Sequence, residues 1–348
     1  MNDFAHLLDR LAYEPRRNAK LRMLQDFFSR TPDPERGYAL GAMTGTLNFR
    51  EAKPALIRGL VEERIDPVLF RLSHNYVGDL AETTALIWPE PVAAREPGPG
   101  HNNPPPHVPT LAEVVETLAT IPKRELPRHL AEWLDALDET GRWALLKLVT
   151  GNLRVGVSAR LAKTAVGALG GHEADAVEEV WHGLTPPFET LFAWVEGRAE
   201  RPETLNPAPF RPPMLSHPIE EEGDLEKLEP DAFSAEWKWD GIRVQLVGGR
   251  DRAGTQVAKV YSRTGEDITG AFPDLAEAIG FTGTLDGELL ILRERRVQSF
   301  NVLQQRLNRK AVTGKLLEEF PAHVRAYDLL TLDGDDLRAE PFATRRAK

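Results

Sequence analysis

Glu236-Trp237-Lys238-Trp239-Asp240-Gly241-Ile242-Arg243 is the stretch from which the fold and chemistry of this chain can be worked out. Apolar and polar residues alternate from Ile242 to Leu246, with the two-residue period of a β-strand. Lys238 therefore stands at the entry to a strand, between two indoles. A free lysine has a pKa near ~10.4, so a nucleophilic lysine needs desolvation or nearby positive charge. The indoles or a bound metal could provide these, but a surface lysine at a strand end is the simpler interpretation of these residues alone.

Three later segments add further polar groups to predicted strands. A strand ending in a cation and a glycine is predicted at Val260-Tyr261-Ser262-Arg263-Thr264-Gly265. A carboxylate pair flanks a glycine in Leu285-Asp286-Gly287-Glu288-Leu289, and an aromatic residue precedes an acid in Ala326-Tyr327-Asp328-Leu329-Leu330. An aromatic ring can stack on a base, arginine can bind phosphate, and carboxylates can hold ribose hydroxyls or Mg²⁺. The combination is typical of a nucleotide pocket.

The chain as a whole divides into two regions with different hydrophobic patterns. Residues 1–205 carry apolar residues at helical spacing, as in Phe4, Leu7, Leu8 and Leu11. A break at Asp66-Pro67 separates two further helical segments, one with Leu56 and Leu60 and the other with Leu69 and Leu72 on its apolar stripe. A Pro/Gly-rich loop is predicted at 96–109, and a second Pro-rich stretch runs from Pro202 to Pro218. Residues 206–348 are predicted to be rich in strands, with a hairpin turn at 248–254. The predicted fold class is multidomain, all-helical and then α+β.

Composition excludes several classes of protein. The chain has 348 residues, 41% of them hydrophobic, which suits two domains with real cores. It contains no cysteine, so disulfides, thiol nucleophiles and Cys-ligated zinc are excluded, and its nine histidines form no tight ligand cluster. No apolar run is long enough to cross a bilayer, and the N-terminus lacks a secretory signal. We therefore expect a cytoplasmic protein without a membrane partner.

The net charge of −10 taken alone argues against a nucleic-acid partner, because phosphate binding uses positive charge. Net charge is a sum over the whole molecule, however, and a local basic face can coexist with it. Both interpretations stay open on charge alone.

The order of these motifs resembles that of the covalent nucleotidyltransferases, and most closely the ATP-dependent DNA ligases. The motifs are Lys238-x-Asp240-Gly241-x-Arg243, Ser262-Arg263-x-Gly265, Asp286-Gly287-Glu288 and Tyr327-Asp328. Thr46, Gly78 to Glu82 and Gly151 to Ser158 resemble the family's helical DNA-binding domain, Pro213-Met214-Leu215 its linker, and Phe300 to Lys310 a later helix. The resemblance implies a helical DNA-binding domain over 1–205 and, over 206–348, an incomplete, antiparallel, β-rich nucleotidyltransferase domain of the ATP-grasp-like ligase kind.

The resemblance also implies a reaction and its participants. In the family, the motif lysine takes AMP from ATP, passes it to the 5′-phosphate at a DNA nick, and closure follows. Lys238 is the implied nucleophile. Glu236 is implied to recognise adenine or position the site, and Tyr327 to stack on adenine. Arg243 and Arg263 are implied to bind ribose and phosphate, and Glu288 to bind the ribose or Mg²⁺. Asp240 and Asp286 are implied to orient the lysine or the metal. NAD-dependent ligases usually carry a Cys-ligated zinc module, so ATP with Mg²⁺ is the expected cofactor pair.

Nicked double-stranded DNA is the partner that the resemblance implies, held through phosphates and the minor groove. Lys147, Arg154 and Arg160 are candidate contacts, and salt-bridged surface residues are an equally good interpretation of all three. The chain ends at Lys348, before two further family motifs and an OB-fold domain. We therefore expect a truncated product, a fragment, or a split enzyme completed by a second chain, and a monomer once complete. The alternatives are an RNA ligase or capping-type enzyme, or a non-catalytic nick-binding remnant.

Overall fold

A computed structural model describes residues 1–47, 49, 54–89, 107–151, 153–203, 206–216, 222–307, 309 and 312–348. The chain forms two compact units, one of residues 1–180 and 184–202, the other of residues 181–183 and 203–348. Residues 96–106 of the predicted Pro/Gly-rich loop and the predicted boundary at 205 lie outside the described residues. No helix within the described ranges is both long and apolar enough to cross a membrane.

The first unit is helical, as the sequence predicts. Its helices are α1 (Asn2–Tyr13), α2 (Arg17–Arg30), α3 (Glu35–Thr44), α4 (Pro54–Glu62), α5 (Pro67–Val77), α6 (Leu80–Ile87), α7 (Leu111–Thr120), α8 (Leu126–Ala136), α9 (Glu139–Thr150), α10 (Ala159–Leu169), α11 (Ala174–Trp181) and α12 (Glu189–Val195). The α1 stripe Phe4, Leu7, Leu8 and Leu11 is buried, as its spacing predicts.

Local capping residues set where these helices begin and end. Asp66 caps α5 by accepting hydrogen bonds from the backbone N–H groups of Val68 and Leu69, and Asp79 does the same for α6 through Glu82. Gly78 and Gly151 end α5 and α9 with left-handed backbone, which glycine adopts without a Cβ clash. The break predicted at Asp66-Pro67 is therefore the start of α5.

The buried face of α5 differs from the predicted one. Leu69 and Leu72 are 54% and 60% exposed, whereas Phe70 is buried and stacks on His74 with a ring-centroid distance of 6.0 Å. Phe70 and His74 are separated by four residues and share one face of the helix. The face of α5 with Phe70 is therefore packed against the protein, and the face with Leu69 and Leu72 is exposed to solvent.

The second unit is built on an antiparallel sheet. Its strands are β1 (Ile242–Arg250), β2 (Gln256–Ser262), β3 (Gly283–Arg293), β4 (Arg296–Val297), β5 (Ala322–Leu332) and β6 (Asp335–Asp336), in the order β2-β1-β3-β5-β6, with β4 paired to β3. The helices of this unit are α13 (Pro273–Ala278), α14 (Phe300–Leu307), α15 (Gly314–Glu319) and α16 (Phe342–Ala347). The helix predicted over 300–310 is confirmed from Phe300 to Leu307, and Asn308 and Lys310 lie outside the described residues.

The two faces of the sheet carry different residues. Val244, Leu289 and Ile291 point to a core that also contains Val260, Phe272 and Leu303. Because side chains alternate along a strand, residues such as Arg243 and Glu288 face the other way. The predicted site residues of the strands, such as Arg243 and Glu288, therefore share this second face.

The predicted turn at 248–254 is only partly correct. Gly248 and Gly249 belong to β1, which continues to Arg250, and the turn begins at Asp251. A Cβ on Gly248 would lie 1.9 Å from the carbonyl oxygen of Phe281, and one on Gly249 would lie 1.7 Å from that of Pro207. These glycines allow close backbone approach within a strand rather than a reversal of the chain.

Candidate active site

Three neighbouring strands bring the predicted site residues to one face of the sheet. In the antiparallel register, Arg243 on β1 lies opposite Glu288 on β3, and Asp286 on β3 lies opposite Asp328 on β5. The β3–β5 pairing skips one residue at this point, from Asp328 to Ala326, so Tyr327 has no partner in the register. The carboxylate pair and the aromatic residue thus meet beside Arg243.

Arg243 is the best-anchored side chain of this face. Its Nε and Nη2 donate to the two carboxylate oxygens of Asp286 at 3.1 and 2.8 Å, and Nη2 also donates to the backbone oxygen of Met214 at 2.6 Å. Asp286 is fully buried. Burial acts against the guanidinium charge, but the hydrogen bonds and charge of Asp286 outweigh it and raise the pKa of Arg243. The site therefore holds a fixed positive charge.

Tyr327 lies against this ion pair. The Arg243 guanidinium carbon is 5.6 Å from the centre of the Tyr327 ring, within cation–π range. Burial, reinforced by the negative charge of Asp286, raises the pKa of Tyr327, so its hydroxyl stays protonated. The Tyr327 hydroxyl is thus accommodated beside the Asp286 carboxylate.

Glu288 is half-buried on the same face. Burial raises the pKa of Glu288, while a hydrogen bond from the backbone N–H of Gly241 and the positive charge of Lys238 act in the opposite direction. The structure therefore brings the end of the lysine motif and the Asp-Gly-Glu motif together.

Lys238 and its neighbouring indoles differ from the sequence prediction. Lys238 is exposed, and Trp237 is 86% exposed, so Trp237 does not shield the amine. Trp239 instead lies under the Arg325 guanidinium, 4.8 Å from its carbon. The segment 233–240 contains no helix or strand, so no regular element of its own holds the two indoles. Within the described residues, the Lys238 amine is therefore not desolvated by its neighbouring indoles.

Two arginines near the end of the described chain are site neighbours that the sequence analysis missed. Arg346 Nη1 donates to Glu236 Oε1 and to the backbone oxygen of Tyr327, both at 2.9 Å. Arg345 forms a buried, two-pronged ion pair with Asp328 at 2.8 and 3.0 Å. A buried aspartate needs a cationic or hydrogen-bonding partner, so Asp328 in an apolar strand was the signal that could have predicted one.

Arg263 and Asp240 lie apart from these contacts. Both are exposed and form no ion pair or hydrogen bond with another described residue. Gly265, two residues after Arg263, has φ +81°, and a Cβ there would lie 2.8 Å from the His182 ring. That close packing explains the glycine in the Ser-Arg-x-Gly motif of this chain.

The described residues contain no group of three or more histidine, aspartate or glutamate side chains placed to hold a metal ion. Both carboxylate oxygens of Asp286 are already bonded to Arg243, which leaves Glu288 as the half-buried carboxylate of this face. Mg²⁺ commonly binds through one or two carboxylates together with substrate phosphates. The donor set fits a metal that arrives with a nucleotide.

The candidate DNA contacts of the helical unit differ in their surroundings. Lys147 forms an ion pair with Asp79 at 2.7 Å beside a cavity of about 310 Å³, and Arg160 is paired with Asp175 at 2.8 Å. Arg154 is exposed and has no ion pair with any residue in the described ranges. Of the three, Arg154 is the one that no ion pair with a described residue holds away from a ligand.

Known proteins resemble the chain in both sequence and domain content. Residues 213–348 match the family model for the ATP dependent DNA ligase domain. DNA ligase 1 of Korarchaeum cryptofilum is 28% identical over 254 residues, covering 69% of this chain and 44% of that protein. A probable DNA ligase of Opitutus terrae is 28% identical over 427 aligned residues (99% and 40%), and DNA ligase 1 of Methanosarcina acetivorans is 31% identical over 231 residues (61% and 38%).

Among solved structures, the ligase domain of LigD from M. tuberculosis is 28% identical, with a TM-score of 0.26, over 32% of this chain and 34% of that one. The chain spans less than half the length of the curated relatives described here. The match of the family model covers the lysine motif, the Asp-Gly-Glu motif and the Tyr-Asp motif whose side chains meet on the sheet. Residues 213–348 are therefore similar to the catalytic domain of ATP-dependent DNA ligases.

Proposed function

We propose that this chain takes part in sealing nicks in duplex DNA, with Lys238 as the residue that carries AMP. The observation that carries the proposal is the sheet face on which Arg243, Glu288 and Tyr327 meet at the end of the lysine motif. A fixed cation, a half-buried carboxylate and a half-buried aromatic ring are what a nucleoside triphosphate requires for its phosphates, its ribose or metal, and its base.

The proposed reaction has three steps. The neutral Lys238 amine attacks the α-phosphorus of ATP, a P–N bond forms, the P–O bond to pyrophosphate breaks, and the amine proton passes to solvent. The 5′-phosphate of the nick then attacks the same phosphorus and forms a DNA-adenylate, while the P–N bond breaks and the Lys238 amine leaves with a proton taken from solvent. Finally, the 3′-hydroxyl attacks the 5′-phosphorus and gives its proton to solvent, the phosphodiester forms, and the P–O bond to AMP breaks.

Each polar group of the site has a proposed role in these steps. Tyr327 stacks on adenine, and Glu236 contacts the edge of the base. Arg243 stabilises negative charge on the phosphates, and its geometry is held by Asp286. Exposed Arg263 and Asp240 are free to reach a ligand, Arg263 as a ribose or phosphate contact and Asp240 as support for the lysine.

Mg²⁺ is proposed to enter with the phosphates of ATP, where it would offset their charge during the attack by Lys238. Glu288 is the protein carboxylate proposed to hold it or the ribose. Burial raises the pKa of Glu288, and a nearby divalent cation would favour its ionised form.

We propose that residues 1–205 hold the duplex and that residues 206–348 form the adenylation domain, of the ATP-grasp-like ligase kind. Lys147, Arg154 and Arg160 are the proposed phosphate contacts, and a cytoplasmic location goes with this function. The relatives described above are named as DNA ligases, which supports DNA rather than RNA as the substrate.

The test is covalent labelling of the full chain with α-³²P-ATP and Mg²⁺, followed by denaturing electrophoresis. We expect label in the unmodified chain and in Lys315→Ala, and none in Lys238→Ala. Lys315 is a matched control because it is exposed on α15 and forms no ion pair with a described residue. Absence of label from the unmodified chain would overturn the proposed chemistry and favour a nick-binding remnant.

A second assay identifies the nucleic acid. A labelled chain mixed with nicked DNA or nicked RNA duplexes is expected to pass AMP to the DNA 5′-phosphate, which appears as a DNA-adenylate or a closed strand. Transfer to RNA alone would overturn the DNA assignment.

A further inference from the structure

Arg346 joins two segments that the proposed function assigns to the adenine base. Its Nη1 donates to the Glu236 carboxylate and to the backbone oxygen of Tyr327. Tyr327 is the proposed stacking residue, and Glu236 is the proposed contact to the base edge. One guanidinium therefore sets the position of the carboxylate relative to the strand that carries the ring.

The helix that carries Arg346 is itself anchored. The adjacent Arg345 is buried, as is its ion-pair partner Asp328 on β5, and its Nη1 also bonds to the backbone oxygen of Glu340. Asp328 directly follows Tyr327 in sequence. The guanidinium of Arg346 is thus presented from a helix tied to the same strand as Tyr327.

The segment that carries Glu236 is held less firmly: Trp239 stacks against Arg325, and Glu236 itself pairs with Arg346. It lies before β1 without helix or strand, and Glu236, Trp237 and Lys238 are all exposed. A carboxylate on an irregular exposed segment samples many rotamers, and ordering it on binding costs affinity. A fixed cation reduces that cost by holding the carboxylate before the ligand arrives.

We propose that Arg346 is a positioning residue that orients Glu236 to recognise the 6-amino group of a purine. The inference rests on the proposed function, which places adenine on this face. With Oε1 engaged by Arg346, the carboxylate keeps acceptor positions that suit an N–H donor, as the 6-amino group of adenine provides. Guanine offers a carbonyl oxygen at that position, which a carboxylate repels.

A role in binding agrees with the exposure of this ion pair. The Arg346 and Glu236 side chains are 50% and 42% exposed, and ion pairs at such positions contribute little to folding stability. Loss of Arg346 is therefore expected to leave the unfolding transition unchanged while altering selectivity.

The test measures dissociation constants for ATP and for purine riboside triphosphate, which lacks the 6-amino group, by equilibrium dialysis. All chains carry Lys238→Ala, so that binding is not followed by covalent transfer. We expect the parent to favour ATP by about tenfold, the effect of one well-made hydrogen bond. Arg346→Gln and Glu236→Gln should each reduce that preference to about twofold, and the double variant should lose no more than either alone.

Arg252→Gln is the matched control, because Arg252 is exposed in the β1–β2 turn without an ion pair to a described residue. It should keep the tenfold preference. The inference is overturned if Arg346→Gln also keeps it, if the parent shows no preference, or if Arg346→Gln binds ATP more tightly because the ion pair had occupied the acceptor.

These outcomes separate the inference from the proposed function. If the chain with Lys238 intact forms the adenylyl adduct but the preference for ATP over purine riboside triphosphate does not depend on Arg346, the function stands and the inference fails. If no adduct forms but the preference depends on Arg346, the inference stands and the chemistry fails.

Discussion

Arg243 shows how one residue can be fixed for a task before any ligand is present. Its guanidinium uses two prongs on Asp286 and a third contact on the Met214 backbone. Lysine keeps the charge but cannot make this planar, two-pronged contact. The ion pair with Asp286 therefore fixes where the positive charge of Arg243 lies, which a lysine at this position could not reproduce.

We predict that Arg243→Lys lowers the rate of Lys238 labelling by at least about tenfold, corresponding to about 1.4 kcal/mol of lost transition-state stabilisation. The measurement is the initial rate of adduct formation with α-³²P-ATP. Arg293→Lys is the control, since Arg293 stacks on Phe320 and bonds to the Glu319 backbone, and it should label normally. A rate within twofold of the unmodified chain for Arg243→Lys would contradict the prediction.

A second arginine, Arg306, is fully buried and organises the packing of the sheet unit. It donates to Asp274 at 2.6 and 2.9 Å and to the backbone oxygens of Ala271 and Phe320. Burial acts to raise the pKa of Asp274, but the hydrogen bonds and charge of Arg306 outweigh it and lower that pKa. A carboxyl group whose pKa is lowered on folding stabilises the fold above its unfolded pKa, and the stabilisation is lost as pH falls through its folded pKa.

We therefore predict that Asp274 contributes stability at neutral pH, that this contribution begins to fall below about pH 4, near the unfolded pKa of aspartate, and that it is gone below the lower folded pKa. Asp274→Asn leaves a buried guanidinium without its counter-ion, so it should lower the free energy of unfolding at pH 7 by about 3 kcal/mol. Urea unfolding between pH 7 and pH 3 tests this, and the gap between the two chains should narrow as pH falls. Asp231→Asn, at an exposed site without an ion pair in the described residues, should change neither the free energy of unfolding at pH 7 nor its dependence on pH. A gap that stays constant with pH would exclude the linkage.

Among the elements, two-residue periodicity predicted the strand that begins at Ile242, and the polar motifs that begin at Val260, Leu285 and Ala326 were also predicted to lie on strands. The structure confirms these strands as β1, β2, β3 and β5. Periodicity was less reliable for the face of a helix. Leucines were expected to face the core on α5, but Phe70 does so instead, because the neighbours that a helix packs against are not encoded in its own spacing.

The candidate site follows the same division. The Asp-Gly-Glu and lysine motifs were expected at one site from the order of the motifs, whereas the pairing of β1 with β3 is a finding of the structure. Once the strands pair, alternation fixes which residues share a face. The partners of Asp328 and Glu236 could not, since Arg345 and Arg346 lie on a separate helix that reaches them only through tertiary packing. An aspartate in an apolar strand, such as Asp328, indicates that a partner is needed, but short sequence patterns do not identify which residue provides it.

A buried ion pair joins α16 to β5. Arg345 and Asp328 are each about 5% exposed, so Asp328→Ala would leave a buried guanidinium unpaired. We expect the free energy of unfolding to fall by about 3 kcal/mol and amide exchange across 342–347 to accelerate. Urea unfolding and hydrogen exchange measure the two effects. Arg346→Gln, which removes an exposed ion pair on the same helix, should change neither, and equal effects from the two variants would refute the buried pair as the anchor.

At the scale of the whole molecule, a net charge of −10 must be reconciled with a polyanionic substrate. Binding to duplex DNA then depends on local cations whose charge is not already neutralised. Lys147 and Arg160 each pair with an aspartate, whereas Arg154 has no ion-pair partner in the part of the chain that the structure describes. Each phosphate that a protein cation neutralises releases counterions and adds about 0.9 to the steepness of the salt dependence.

We predict that Arg154→Ala reduces the slope of log K against log [salt] by about 0.9, in binding to nicked duplex measured by fluorescence anisotropy between 50 and 200 mM salt. Arg160→Ala should reduce it by less, because releasing Arg160 to DNA requires breaking its pair with Asp175 and leaves that carboxylate facing the phosphates. Arg252→Ala serves as the surface-arginine control and should leave the slope unchanged. Equal slopes for Arg154→Ala and the unmodified chain would show that the DNA lies elsewhere, and that the overall negative charge is offset by cations other than Arg154.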